Sequence, residues 1–152
     1  MAESSRETDL NPSTYIGLSF PLRADNNNNF AMTRNSLEQS VHNLKNLLMT
    51  NIGERLNQPE FGSKLLGLCF EPDDGSLAEK VDQEVRRAVN RWLSYINILR
   101  VDLLTDQENP NKIFVSISFS TNLNPDVTQT TTLDTGGQGS GGADTGSTGS
   151  TT

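Results

Sequence analysis

Five carboxylates, Glu54, Glu60, Glu71, Asp73 and Asp74, crowd one stretch of this chain, and any hydrolytic chemistry it performs would start there. Two carboxyl groups about 5–9.5 Å apart across a sugar-binding cleft, one of them holding its proton, cleave glycosidic bonds. Such a cleft needs aromatic rings to seat the sugar. The single tryptophan, Trp92, instead falls on the apolar stripe of a helical pattern. An acidic chain also gathers carboxylates in its loops with no catalytic purpose, so solvated loop charge is the competing reading.

The remaining reactive side chains offer less. His42 is the only histidine, lies just off an apolar stripe, and has no Cys or paired acid at ligand spacing. It is expected at the surface rather than on a metal or as a general base. One His and one Cys do not build a transition-metal site. There is no nucleophile elbow, phosphate loop or dinucleotide fingerprint. No metal and no cofactor are expected. Cys69 has no partner for an internal disulfide and reads as a small buried hydrophobe between Leu65 and Phe70.

The elements around these residues follow from periodicity. Ser36 and Gln39 form a capping box, and Leu37, Val41, Leu44, Leu47 and Leu48 then give a helical stripe ending near Asn51 or Gly53. Ser76 and Glu79 form a second box. After it Leu77, Val81, Val85, Ala88, Val89, Trp92 and Ile96 line one face, with Asp82 and Arg86 as an i,i+4 pair on another. Between the two helices, Gly53 suits a helix C-terminus and Pro59 a new turn. Phe61, Leu65, Leu66, Leu68 and Phe70 can bury that turn, and Asp73-Asp74-Gly75 closes it.

Past the second helix the period becomes two. Leu99, Val101 and Leu103 alternate with Arg100 and Asp102. Residues Asp106, Asn109, Pro110 and Asn111 make a connection. Ile113, Val115, Ile117 and Phe119 then alternate with Phe114, Ser116, Ser118 and Ser120. Val127–Leu133 is threonine-rich, as an exposed edge strand would be. Upstream, Ile16, Leu18 and Phe20 share one side of a short strand ended by Pro21, followed by a polar loop at Asn26–Asn29. The expected organisation is a flexible arm over 1–14, one domain over 15–133, and a disordered Gly/Ser/Thr tail over 134–152. The fold class is α+β, with two main helices on one face of a small, mainly antiparallel sheet.

Bulk properties narrow the partners. The chain has 152 residues with 33% apolar content, below the rough 45–50% of a globular average, and the deficit sits at the polar ends. Twelve Lys and Arg against 19 Asp and Glu leave a net charge of −7, which disfavours a nucleic-acid interface and an anionic membrane surface. No apolar run approaches the roughly 20 residues of a membrane span, and the N-terminus lacks the charged and apolar regions of a signal peptide. A protein made in a reducing cytosol is expected.

The stretch from Ile52 to Pro72 carries more than a loop requires. Thr50, Gly53, Glu54, Arg55, Pro59, Phe61, Gly62, Leu65, Leu68, Phe70, Glu71 and Pro72 fall in one register. That register resembles the baseplate wedge proteins of contractile-tailed phages, also called sheath initiators or the lysozyme-like baseplate wedge family. The likeness continues through Val85, Ala88, Arg91 and Trp92 into Ile98–Leu103 and Ile113–Phe119, and covers neither end. It implies a structural part of the virion tail baseplate, assembled in the host cytoplasm, in six copies around the tail tube. It implies a fold similar to the tail-sheath core domain. Its partners would be the tail sheath protein, other wedge proteins and the tail tube, with no nucleic acid and no membrane. A peptidoglycan-degrading, lysozyme-like hydrolase of the tail is the alternative.

On that likeness, the wedge-partner interface would include Gly53, Glu54, Arg55, Pro59, Phe61, Gly62, Glu71, Pro72, Leu93 and Tyr95. A second reading keeps Glu54 and Arg55 as solvated charges beside a helix end. The family often carries Glu-Pro-Arg after its second long helix, where this chain has Leu93-Ser94-Tyr95. A buried charge contact cannot be carried over to those positions. Either an apolar contact replaces it or these residues close the core. A sheath arm would be received on the sheet at Arg100, Asp102, Ser116, Ser118, Ser120, Thr128, Thr130 and Thr132, because an unpaired strand edge accepts another backbone.

Overall fold

A computed structural model describes residues 11, 13–26, 29–71, 75–105 and 113–135. The expected arm up to residue 10, the connection at 106–112, the turn at Asp73-Asp74, Pro72 and the tail from 136 onward lie outside the described residues.

The leucine spacing that predicts the first helix produces α1, Ser36–Met49, which buries Leu44, Leu47 and Leu48 completely. Its cap differs from expectation. Asn35, in extended conformation, is the N-cap, and its Oδ1 accepts the Glu38 N–H at 2.7 Å. Ser36 is already inside the helix, because asparagine caps as well as serine and here stands one residue earlier. A short helix α2, Leu65–Cys69, follows the interhelical loop. The second long helix, α3, runs Leu77–Trp92 with Ser76 as N-cap and buries Leu77, Val81, Val85, Ala88 and Val89. It is one turn shorter than its apolar stripe predicts. The Leu93 N–H closes the helix on Val89 O at 2.7 Å, and the Ile96 N–H turns back to Leu93 O at 2.9 Å. Ile96 therefore starts a strand.

That strand is β3, Ile96–Thr105, numbered after two short N-terminal strands, β1 at Gly17–Leu18 and β2 at Met32–Thr33. β4, Ile113–Thr121, and β5, Gln129–Asp134, complete an antiparallel meander in the order β3-β4-β5. Strand β4 is central. Its Val115, Ile117 and Phe119 are fully buried against the helices, with Leu133 of β5 and Ile96 of β3 beside them. All the helices pack on this one face, so the architecture is the α+β arrangement expected.

Strand β3 departs from strict alternation. Ile98 pairs with Phe119 and Arg100 with Ser118, so Leu99 is the extra residue of a bulge. Leu99 is consequently 53% exposed, and Ile98 packs against the core in its place. Phe70 also leaves the core. It sits just beyond the end of α2 and is 75% exposed, while Leu65 is buried and Phe61 and Leu68 pack against the core. Strand β5 continues to Asp134, and Thr135 binds Ile113 O through its N–H at 3.3 Å and its hydroxyl at 2.6 Å.

Candidate functional site

Two surfaces hold the residues singled out by sequence. The first is the loop from Thr50 to Lys64, which is stitched together by backbone and side-chain bonds. The Gly53 N–H meets Pro59 O at 2.7 Å and the Ser63 N–H meets Thr50 O at 2.9 Å. Ser63 Oγ also donates to Leu48 O at 2.9 Å, anchoring the loop's return to α1. Gly62 has φ +122°, and a Cβ there would stand 2.4 Å from Thr50 O, so only glycine fits.

Glu54 and Arg55 serve this loop directly. Glu54 Oε2 accepts the Asn51 N–H at 2.9 Å, just past the C-cap of α1. Arg55 donates to Asn46 Oδ1 at 3.1 Å, and its guanidinium carbon sits over the Phe61 ring, 3.9 Å from the centroid. Phe61 in turn meets Trp92 edge-on at 5.3 Å. The stack Arg55–Phe61–Trp92 ties the loop to the last turn of α3. Arg91 adds an ion pair to Glu60 on the same side. At the tip of this braced loop Leu56 is 98% exposed.

Of the five carboxylates, Glu54, Glu60 and Glu71 lie among the described residues, and each has its own partner. Glu54 bonds the loop backbone, Glu60 faces Arg91, and Glu71 lies 3.9 Å from Lys80. Glu84, not singled out by sequence, is the most engaged. It accepts the Lys64 N–H at 2.7 Å and a two-pronged contact from Arg87 at 2.6 and 2.8 Å. The Arg87 bond holds its carboxyl below the ordinary range, against the opposing effect of burial. Asp82 pairs with Arg86 at 2.9 Å, as their i,i+4 spacing predicts, and raises the Arg86 pKa. Burial pushes the Cys69 thiol up, opposed by a bond with Thr135. Among the described residues no group of three or more His, Cys, Asp or Glu could hold a metal ion, and no helix is long and apolar enough to cross a membrane.

Leu93 and Tyr95 are half-buried and pack against the core, and Tyr95 OH accepts from Asn43 Nδ2 at 3.0 Å. His42 is half-buried rather than free at the surface. Its Nδ1 lies 2.9 Å from Phe20 O and 3.1 Å from Phe20 N, tying α1 to the N-terminal segment.

The second surface is the sheet. Arg100, Asp102, Ser116, Ser118, Thr130 and Thr132 do come together, on the face turned away from the helices. Arg100 pairs with Asp102, and Ser118 Oγ lies 3.0 Å from Thr130 Oγ1. They do not all lie at an edge. Ser116, Ser118 and Ser120 belong to the central strand, whose backbone is paired on both sides, and Ser120 is buried. Thr128 precedes β5. The misplacement arose because a hydrophilic strand face looks in sequence like a hydrophilic strand edge. Among the described residues, β3 and β5 are the outer strands of this sheet.

Sequence reasoning also missed an apolar face. In the β1–β2 ribbon Gly17 and Thr33 pair and turn toward α1, where Thr33 Oγ1 donates to Gln39 Oε1 at 2.5 Å. Leu18 pairs with Met32 on the opposite side. That side, with Ile16, Phe20 and Phe30, is exposed. The Ile16-Leu18-Phe20 alternation was visible in sequence. Nothing there said that the small and polar side would be the one buried.

Residues 35–126 match the baseplate wedge protein gp25 family. The chain belongs to that family. Membership makes it a baseplate wedge component. The fold is shared with a Geobacter sulfurreducens protein named as a tail lysozyme, at TM-score 0.59 and 20% identity, over 68% of this chain and 94% of that one. It is shared too with a chain of the anti-feeding prophage baseplate, at TM-score 0.60 and 19% identity, over 68% and 82%. No curated protein matches. The family segment begins at the N-cap of α1, so the apolar ribbon lies outside it.

Proposed function

We propose that this wedge component docks on other wedge proteins through the 50–64 loop and the adjoining end of α3, and templates the first sheath ring by accepting strands at the edge of its three-stranded sheet. The tail sheath protein, neighbouring wedge proteins and the tail tube are its partners, in a baseplate assembled in the host cytoplasm. The observation that carries the reading is a short meander, buried on one face, whose outer strands pair with no further strand among the described residues. Such edges invite another chain's backbone. The braced loop supports docking, because rigid presentation of Leu56 lowers the ordering cost of an interface.

In this reading the role is structural. The separate engagement of Glu54 by a backbone amide, Glu60 by Arg91 and Glu71 by Lys80 supports it.

The test is assembly of the tail with and without this chain. Baseplates carrying it should nucleate a sheath, and baseplates lacking it should leave the tube bare. Sheath growth of normal yield without the chain would rule the templating role out. Purified chain incubated with peptidoglycan should release nothing. Release that disappears in Glu54→Gln or Glu71→Gln would establish the hydrolase instead.

A further inference from the structure

The ribbon of β1 and β2 is fixed to the body of the protein by its polar side. Thr33 Oγ1 donates to Gln39 Oε1 at 2.5 Å, and the Gln39 side chain fills the space where a Cβ of Gly17 would stand. His42 Nδ1 lies 2.9 Å from Phe20 O. The Ser19 N–H bonds Ala31 O at 3.0 Å, which carries the pairing beyond Leu18 and Met32. With one side held on α1, strand periodicity turns Ile16, Leu18, Phe20, Phe30 and Met32 to the other. Phe30 is 64% exposed and Leu18 46%. Single exposed apolar residues are ordinary, but a row of them on one face of so short a ribbon marks a binding surface.

Composition and charge narrow what covers this face. Outside the described residues the sequence offers Met1 and Leu10 as its only large apolar side chains. They are too few to cover the row, so the occupant is not another segment of this chain. Tyr15 to Arg34 holds Arg23 and Arg34 against Asp25 alone, so the segment is net positive on a chain of net charge −7. The Arg34 guanidinium stands over the Tyr15 ring at one end of the ribbon, 5.3 Å from its centroid. Arg23 is exposed near the other end, where its carbonyl accepts the Ala31 N–H at 2.8 Å. A second copy docked face to face would set these cations against their own counterparts and bring together two net charges of −7. The same net charge opposes an anionic lipid surface.

We propose that the outer face of the β1–β2 ribbon docks a different protein of the same baseplate, which lays an apolar segment flanked by Asp and Glu across Leu18, Phe30 and Met32. Arg23 and Arg34 attract its carboxylates and set its orientation. The apolar side chains supply the affinity. The ribbon is held in place before the partner arrives, so little of that affinity is lost to ordering. This surface lies outside the family segment at 35–126, and apart from both the 50–64 loop and the three-stranded sheet. Its failure as a docking site would leave the roles of those two untouched.

Site-specific crosslinking supplies the test. The full chain carries a photoreactive side chain in place of Leu18, or in a second preparation in place of Phe30, and is assembled into tails before irradiation. Both probes should label one segment of a different protein, apolar and richer in Asp and Glu than in Lys and Arg. With the probe at Leu18, Phe30→Ser with Met32→Ser should lower the yield by about tenfold or more. Arg23→Glu should lower it by about threefold at low ionic strength and by much less in about 1 M salt. Labelling of residues 1–10 in the same copy would put the chain on its own face and overturn the proposal. Labelling of a second copy would overturn the choice of partner, as would flotation of the purified chain with phosphatidylglycerol vesicles. A labelled segment without acidic excess, or a yield indifferent to Arg23→Glu, would overturn the charge assignment. No label in tails that carry the chain at normal occupancy would remove the docking site itself. A thermal melt of each probe-bearing chain matching that of the unaltered protein keeps these outcomes independent of misfolding.

Discussion

At Gly62 the loop's path depends on a missing methyl group. With φ +122° and Thr50 O 2.4 Å from where a Cβ would sit, Gly62→Ala combines backbone strain with a clash against main chain. It should cost about 2–3 kcal/mol in chemical denaturation. Gly53, at φ +92° with open space around it, should lose only about 1 kcal/mol on the same change. Glu84 makes a prediction in pH. Arg87 lowers its carboxyl pKa in the folded chain, so the ionised form is the one that folding favours. Its contribution is therefore complete above the ordinary carboxylate range and is lost as pH falls through the depressed folded value. Glu84→Gln should destabilise by about 1 kcal/mol near neutrality. That gap should close in acid, as thermal melts of the two proteins across pH would show.

Among the elements, the helices and the inward face of β4 were legible because each buries a single stripe. A stripe of Leu44, Leu47 and Leu48, or of Val115, Ile117 and Phe119, admits one way of lying on a core. What escaped were features decided by contact between elements. The bulge at Leu99 arises where β3 must reconcile two registers against β4, and no local pattern marks it. Its consequence is measurable. Phe119→Ala should cost about 3–5 kcal/mol, since the ring is wholly buried, while Leu99→Ala should cost well under about 1 kcal/mol. Strict alternation would make both costly. The candidate site was legible in the same uneven way. Gly53, Arg55, Phe61 and Gly62 stand out in sequence, and their bonds run mainly within the loop and to α1 and α3. Strand order separates Ser116 and Ser118 from the true edge, and order is a property of pairing that composition does not carry.

For the molecule as a whole, the N-terminal ribbon is turned inside out relative to ordinary burial, with Gly17 and Thr33 inward and Leu18, Phe30 and Met32 outward. A contiguous apolar face on a protein of this charge is a notable exposure. Leu18→Ser with Phe30→Ser should change stability by no more than about 0.5 kcal/mol, because neither side chain is buried. The same pair should reduce binding of a hydrophobic dye by the native protein, and an unchanged dye signal would show that the face is covered. The strand order has a kinetic side as well. Strands β3, β4 and β5 follow one another in sequence and pair only with their neighbours, so the loops that must close are short. Low contact order of this kind belongs to rapid folders. The sheet should reach its final pairing within milliseconds of refolding, well before any encounter between subunits at cellular concentrations.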